Sequence, residues 1–489
     1  MYNTPIYNYL RSYAEEKLNI FHMPGHKLGR GVPHELAQNL LQLDVTEVEG
    51  TDNLHDPQGI IKAAQIKAAM AFGADNTFFL VNGSTCGVQA AIMSVCTRGQ
   101  KLIVGRDSHR SVASGLILSG AEPVYVYPEF NEEFSIPGEI TPESIENALR
   151  TNPDAAAVLI TRPNYYGICC SIEKISSIVH AWGKILIVDE AHGAHLAFSD
   201  RLPQSALSAG ADICIQSAHK TLPAVTQGAY LHVKGDRPDI DKLSFNLAML
   251  QSSSPSYIIM SYLDIAREIM EREGRDRLET LIDINPGFVE ELGKDGAYKV
   301  LQSGNVGINS VQDPTRLVIS VKGLGISGYS AEKLLRERLG TQVEMADFEN
   351  LVLITTVADN RESMNKLLEA LKELSSMKGL AYHEREQGVS TQIRAVIREY
   401  NSKLVSGSQE LPPWKAYSLD KEGIRLDSSV GRICADIVTP YPPGIPVLYP
   451  GEIISSLTVE YIRDIISAGG KVSGMGADGS IGVVRSNGQ

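Results

Sequence analysis

The chain has 489 residues, 43% of them apolar and 21% charged, with a formal net charge of −13. That length exceeds one ordinary hydrophobic core, so two or three domains are expected, and the composition is that of a soluble globular protein. The acidic surplus argues against nucleic acid or an anionic membrane surface as the main partner, and it is compatible with a cationic small substrate.

Residues 1–60 read as an irregular N-terminal arm, rich in turn formers and histidines (FHMPGHKLGRG, then TEVEGTDNLHDPQG). From about 77 to 235, short apolar runs alternate with helical stretches such as 87–97, 142–150 and 171–183; the runs are TFFLV, KLIVG, PVYVY, AAAVLI, KILIVDE, ADICIQS and AYLHV. Continuous β-branched runs separated by helices predict a mainly parallel sheet covered on both faces, hence an α/β large domain over 61–275 that closes with a helix at about 256–273. Residues 276–378 then read as a small α+β domain (strands TRLVISV, TQVEMAD and NLVLITT among helices). A C-terminal domain over 379–489 opens with a polar helix, carries the Pro- and Gly-rich TPYPPGIPVLYPGE, and ends in a tail expected to fray. The six cysteines, Cys86, Cys96, Cys169, Cys170, Cys214 and Cys434, show no CxxC spacing. A reduced cytoplasmic compartment is therefore expected, with no metal site. The first residues lack an apolar leader and no run reaches bilayer-crossing length, so no membrane partner is expected either.

Four segments fall just after apolar runs, where an α/β sheet gathers ligand-binding loops. In VNGSTCG, Gly83 lets the backbone approach an anion, and Ser84, Thr85 and Cys86 present amides at a helix N-terminus. The same residues also make an ordinary helix cap. RDSHRSV places His109 where it can stack on an aromatic ring. In VDEAHGAH, Asp189 ends an apolar strand, and a carboxylate there needs a cation: a protonated pyridinium, a nearby Arg, or a helix N-terminus. Ala191 is small enough to lie under a ring, while His192 and His195 are either ligands or plain hydrogen-bonded histidines. The DEAH string has no accompanying phosphate loop, which excludes a helicase. In QSAHKTLPAVTQ, Lys220 follows a strand with Ser217 and His219 beside it, as either a Schiff-base nucleophile or a surface lysine.

With PGHKLG, LHDPQG, SSSPSY and YPPGIPVLYPGE, these segments span almost the whole chain, and together they resemble the Orn/Lys/Arg decarboxylases. The likeness is to the short bacterial, arginine decarboxylase-like form without the wing domain of the acid-inducible enzymes. It implies an aminotransferase-like fold (fold type I) and pyridoxal 5′-phosphate as cofactor. Lys220 would carry the cofactor as a Schiff base, Asp189 would face its ring nitrogen, and His109 and Ala191 would flank the ring. Ser84, Thr85, Ser217 and His219 would bind the phosphate, joined by the Cys86 amide, although a Cys at that position departs from the family pattern. Ser252 and Ser253 would reach the cofactor of a neighbouring subunit, so a homodimer with a shared site is implied, as is decarboxylation of a basic amino acid in polyamine biosynthesis. Arginine is the expected substrate, with lysine and ornithine as alternatives, and Glu47, Asp52, Asp56, Asp436 and Glu452 are the candidate partners for its guanidinium. Lys220 or His219 would return a proton to the α-carbon. An aminotransferase or aldolase would use the same Lys and Asp, and a non-catalytic binding protein would have lost the lysine.

Overall fold

This computed structural model describes residues 4–38, 40–294, 296–377, 408–441 and 444–485. The seven apolar runs all become strands of one sheet: β1 (Asn76–Leu80), β2 (Lys101–Gly105), β3 (Glu122–Val126), β4 (Ala157–Thr161), β5 (Ile185–Asp189), β6 (Ile213–Gln216) and β7 (Ala229–Val233). Their spatial order is β1-β7-β6-β5-β4-β2-β3. Strand β7 runs antiparallel to both neighbours and every other pairing is parallel. Successive side chains enter opposite cores. Leu186 and Val188 of β5 join one, with Phe79, Ile160 and Leu263, while Ile187 joins the other, with Leu102, Ile213 and Ile215. This period-two division explains why the strands are apolar throughout: both faces are covered by helices. The α/β expectation is met, and the carboxyl ends of β2, β4 and β5 share one edge.

Three local expectations change. The helix expected at 87–97 starts earlier, at Gly83, and runs to Val95, so the Gly-Ser-Thr-Cys turn is its first turn. Gly83 takes a φ of 76°, a left-handed conformation that glycine adopts without steric cost. The helix expected at 256–273 continues instead through a wider π turn, Met270–Gly274, into Arg275–Gly293. One continuous helical rod therefore links the large sheet to the next unit. Finally, the N-terminal segment is not irregular throughout. Pro5–Glu15 is helical, and Asn19–Phe21 pairs in parallel with Thr341–Val343 of the same chain. Phe21 is fully buried among Leu317, Leu353 and Leu367, so this stretch of the arm gains its order from its own chain.

The second unit is an antiparallel sheet of Lys299–Val300, Arg316–Ser320, Asn350–Ile354 and Met345–Ala346. Helices Arg275–Gly293, Gly328–Arg338 and Arg361–Ser376 pack with it around one apolar core. In the C-terminal unit, Lys421–Arg425 pairs with Ser480–Val484 beside helix Ser456–Ser467. Within the tail expected to fray, Ser480–Val484 is therefore a strand. The polar helix expected after residue 379 lies outside the described residues. Among the described residues, no helix is long and apolar enough to cross a membrane.

Gly87 sets how closely helix Gly83–Val95 approaches the sheet, because a Cβ there would lie 2.6 Å from Leu80 Cδ1 and 3.1 Å from Ile215 Cγ2. We expect Gly87→Val to cost about 1–3 kcal/mol through overpacking. Urea unfolding measures this, and a variant as stable as the parent would show that the contact yields without strain.

Candidate functional site

The carboxyl ends of β2, β4 and β5 open onto one cavity, lined by Ser84, Asp107, His109, Thr161, Tyr165, Asp189, Ala191, His192, Lys220 and Ile445. Asp189 is 3% exposed at the end of β5, and its Oδ1 accepts the backbone N–H of Ala191 at 3.2 Å. Burial raises its carboxyl above the usual range, opposed by the charge of Lys220. Lys220 lies in the short helix Ala218–Thr221 after β6. Burial brings its ammonium down to about 8, while Asp189 and Glu344 pull it upward. Its Nζ lies 3.1 Å from His192 Nε2, and Arg316 Nη2 donates to His192 Nδ1 at 3.0 Å.

His109 caps helix Arg110–Ser119, with Nδ1 accepting the Ser111 backbone N–H, which fixes the ring at the cavity wall. Burial and then the charge of Lys220 lower it to about 3, so the ring is neutral and can lie flat against another ring. Ser217 Oγ donates to Ser84 Oγ at 2.7 Å, joining the turn after β1 to the turn after β6. His219 does not line the cavity; its Nδ1–H donates to the Gly228 carbonyl at 3.0 Å, and burial lowers it to about 4. Thr85 is exposed on the same turn as Ser84, outside the cavity lining. The Cys86 thiol points into its own helix and donates to the Gly83 carbonyl, leaving only its backbone amide for an anion.

Several candidates lie elsewhere. The two histidines of VDEAHGAH part company: His192 faces the cavity, whereas His195 is held by Asp313 at 3.1 Å and Thr315 at 2.9 Å. Ser252, Ser253 and Ser254 are exposed and do not line their own chain's cavity, and His55 Nε2–H donates to the Ser252 carbonyl. They do not cap the following helix either, because Ser256 does. Of the carboxylates considered for a guanidinium, Asp52 receives the backbone N–H groups of Gln58, Gly59 and Ile61. Asp436 pairs with Lys421, and Glu452 is fully buried against Arg106. Glu47 and Asp56 also fall outside the cavity lining. Reasoning from sequence missed Asp107, Thr161, Tyr165, Arg316 and Glu344. Tyr165 packs edge-on to His192 and its hydroxyl donates to Glu344 at 3.4 Å. Arg316 opens the apolar strand RLVIS, and a charge at the end of such a strand was the available signal, as it was for Asp189.

The C-terminal unit completes the wall. Arg106 donates to the Pro446 carbonyl at 2.7 Å and to Glu452 at 3.2 Å, with its guanidinium 4.4 Å from the Tyr449 ring centre. Arg110 N–H donates to the Gly444 carbonyl. These bonds press Gly444–Glu452 onto the loop after β2 and bring Ile445 to the cavity.

The residues present suit pyridoxal phosphate. A reactive amine, a buried carboxylate, a neutral imidazole and a small Ala share one cavity, with a hydroxyl-bearing helix N-terminus at its edge. Asp107 Oδ1 and Thr161 Oγ1, both buried and without a partner, add polar atoms that a bound heterocycle can satisfy. Among the described residues, no group of three or more His, Cys, Asp or Glu is placed to hold a metal ion.

The profile of the Orn/Lys/Arg decarboxylase major domain matches residues 4–363, and that of the Orn/Lys/Arg decarboxylase C-terminal domain matches residues 412–488. The chain is 37% identical to an arginine decarboxylase of Bacillus subtilis, over 97% of this chain and 96% of that protein. It is 36% identical to an arginine decarboxylase of Bacillus anthracis, covering 97% and 95%. In fold it is similar to the constitutive lysine decarboxylase of Escherichia coli, with a TM-score of 0.78 at 21% identity, covering 98% of this chain and 82% of that one.

Removing one partner of a buried ion pair strands the other charge. Glu452→Ala should therefore cost about 3–5 kcal/mol in denaturant unfolding. Loss of less than about 1 kcal/mol, the scale of an exposed pair, would show that Arg106 is held without Glu452.

Proposed function

The chain belongs to the Orn/Lys/Arg decarboxylase family as a basic amino-acid decarboxylase, and from that premise we propose that it converts L-arginine to agmatine and CO2, using pyridoxal 5′-phosphate attached to Lys220. The observation that carries the site assignment is the meeting of Lys220, Asp189, His109, Ala191 and Ser84 around one cavity at the strand ends. The arginine assignment is supported by the Bacillus and Halalkalibacterium relatives named arginine decarboxylase, which are 35–37% identical over at least 92% of this chain.

When bound, the cofactor supplies an electron sink conjugated to the substrate's α-carbon. The protein's part is to hold and aim. Asp189 would stabilise a proton on the ring nitrogen, and His109 and Ala191 would flank the ring. Ser84, Thr85, Ser217 and His219, with the N-terminal amides of helix Gly83–Val95, would receive the phosphate. Ile445 and Tyr165 wall the cavity and exclude water, which disfavours the charged carboxylate that must leave. Lys220, inside the cavity and brought down to about 8 so that amine and ammonium interchange, would return the proton to the α-carbon in its ammonium form; His219, whose Nδ1–H is committed to Gly228, does not.

The protein acts as a cytoplasmic homodimer in polyamine biosynthesis. Exposed apolar side chains such as Leu41 (83%), Met70 (75%) and Phe245 (69%) support burial against a second copy. The exposed Ser252 and Ser253 reach the cofactor of that copy.

The holoenzyme, given arginine, lysine or ornithine in turn, should release CO2 and amine one-to-one, with the highest kcat/KM for arginine. A higher kcat/KM for lysine would overturn the arginine assignment. A keto-acid in place of CO2 and amine would indicate an aminotransferase.

A further inference from the structure

Arg316 lies on the second unit's sheet, far in sequence from Lys220, yet the two are one imidazole apart. Arg316 Nη2 sits 3.0 Å from His192 Nδ1, and His192 Nε2 sits 3.1 Å from Lys220 Nζ. A guanidinium only donates hydrogen bonds, so the Nδ1 facing it must be bare. A neutral ring with a bare Nδ1 carries its proton on Nε2. That N–H points at Lys220, and an ammonium, which has no lone pair, cannot accept it. We propose that Arg316 fixes His192 as the Nε2–H tautomer, and that His192 thereby holds Lys220 as the neutral amine that bonds to the cofactor's aldehyde. Arg316 is the positioning residue; His192 touches the reacting nitrogen. The inference rests on the assignment of Lys220 as the cofactor lysine.

The surroundings agree with this. His192 is 4% exposed, and its ring is fixed by Tyr165, edge-on at 4.7 Å between centroids. Burial, then the charges of Lys220 and Arg316, push His192 well below its ordinary range, so a second ring proton is disfavoured. The groups that bear on Lys220 pull both ways: Asp189 and Glu344 favour the ammonium, whereas burial and Arg316 favour the amine. His109 and His219 are lowered by burial and are neutral near pH 7. His192 is thus the only group in this set placed to donate a hydrogen bond to the neutral amine. The step this serves is a condensation. The Nζ lone pair forms the bond to the aldehyde carbon, and both amine hydrogens leave with the aldehyde oxygen as water. An ammonium cannot begin it.

The test uses the full-length apo-protein and added pyridoxal phosphate. The rate of attachment to Lys220 is followed against pH by borohydride trapping and peptide mass spectrometry. In the parent the rate should level off near pH 8, the value to which the site brings Lys220. His192→Phe keeps a planar ring but removes the donor. Its break should move up by about one pH unit, slowing capture at pH 7 about tenfold. His192→Gln, whose amide offers an acceptor to Arg316 and a donor to Lys220, should stay close to the parent. A break in His192→Phe unchanged within about 0.3 unit, with pyridoxal phosphate still captured, overturns the inference. If the Phe variant does not fold, the parent alone decides: nitrogen chemical shifts of labelled histidine must show Nδ1 bare and Nε2 protonated, and a proton on Nδ1 overturns it. Absence of any trapped cofactor on Lys220 in the parent overturns instead the assignment on which the inference rests.

Discussion

A carboxylate at the end of an apolar strand, 3% exposed, needs a cation. Asp189 is that carboxylate, and a backbone N–H and the charge of Lys220 offset its burial. Strand β5 cannot be shortened to expose it, because Val188 and Ile187 fill the two cores on either side of the sheet. The placement is therefore kept by packing and made tolerable by charge. Lys220 and its hydrogen-bonding imidazole, the loop that caps itself with His109, and the Ser84 turn are all arranged about this one position. On the proposed reading, a protonated pyridine nitrogen would be the partner this carboxylate receives, and the cofactor would supply it.

Similar logic joins the units. Arg106 and Glu452 pin the C-terminal unit to the loop after β2, both almost fully buried. His195 meets Asp313 between the large sheet and the second unit. Lys27, fully buried, donates to the carbonyls of His22 and Ile354 and faces Asp359 at 3.9 Å, tying the N-terminal segment to the second unit. A buried charge left without its partner is strongly destabilising, so each pair favours a single arrangement of the units around the cavity. The PGHKLG and YPPGIPVLYPGE motifs therefore hold walls in place, and among the described residues of the latter Ile445 lines the cavity.

The large sheet was legible because its seven strands are short β-branched runs between helices, a pattern that only two-sided burial explains. Asp189 and Lys220 were legible for a related reason: a charge directly after an apolar run is conspicuous. Arg316 carried the same kind of mark, a charge at the end of an apolar strand, but its place beside His192, like that of Glu344 beside Tyr165, depends on the second unit folding against the first, which no local pattern encodes. The N-terminal arm looked irregular for the same reason, since Asn19–Phe21 becomes a strand only by pairing with Thr341–Val343. Ser252–Ser254 lie just before the long helix, yet the capping geometry falls to Ser256, two residues nearer the helix. Glu452 looked available to a substrate because nothing in its sequence neighbourhood signals Arg106.

The proposed chemistry depends on Asp189 stabilising a proton on the bound ring. Asp189→Asn keeps the shape and removes the charge, so kcat on arginine is the decisive quantity, measured with enzyme shown by borohydride trapping to carry cofactor on Lys220. We expect a loss of at least about a hundredfold, roughly 2.7 kcal/mol in the barrier, with the fold intact. A variant within about twofold of the parent, less than about 0.5 kcal/mol, would contradict the account.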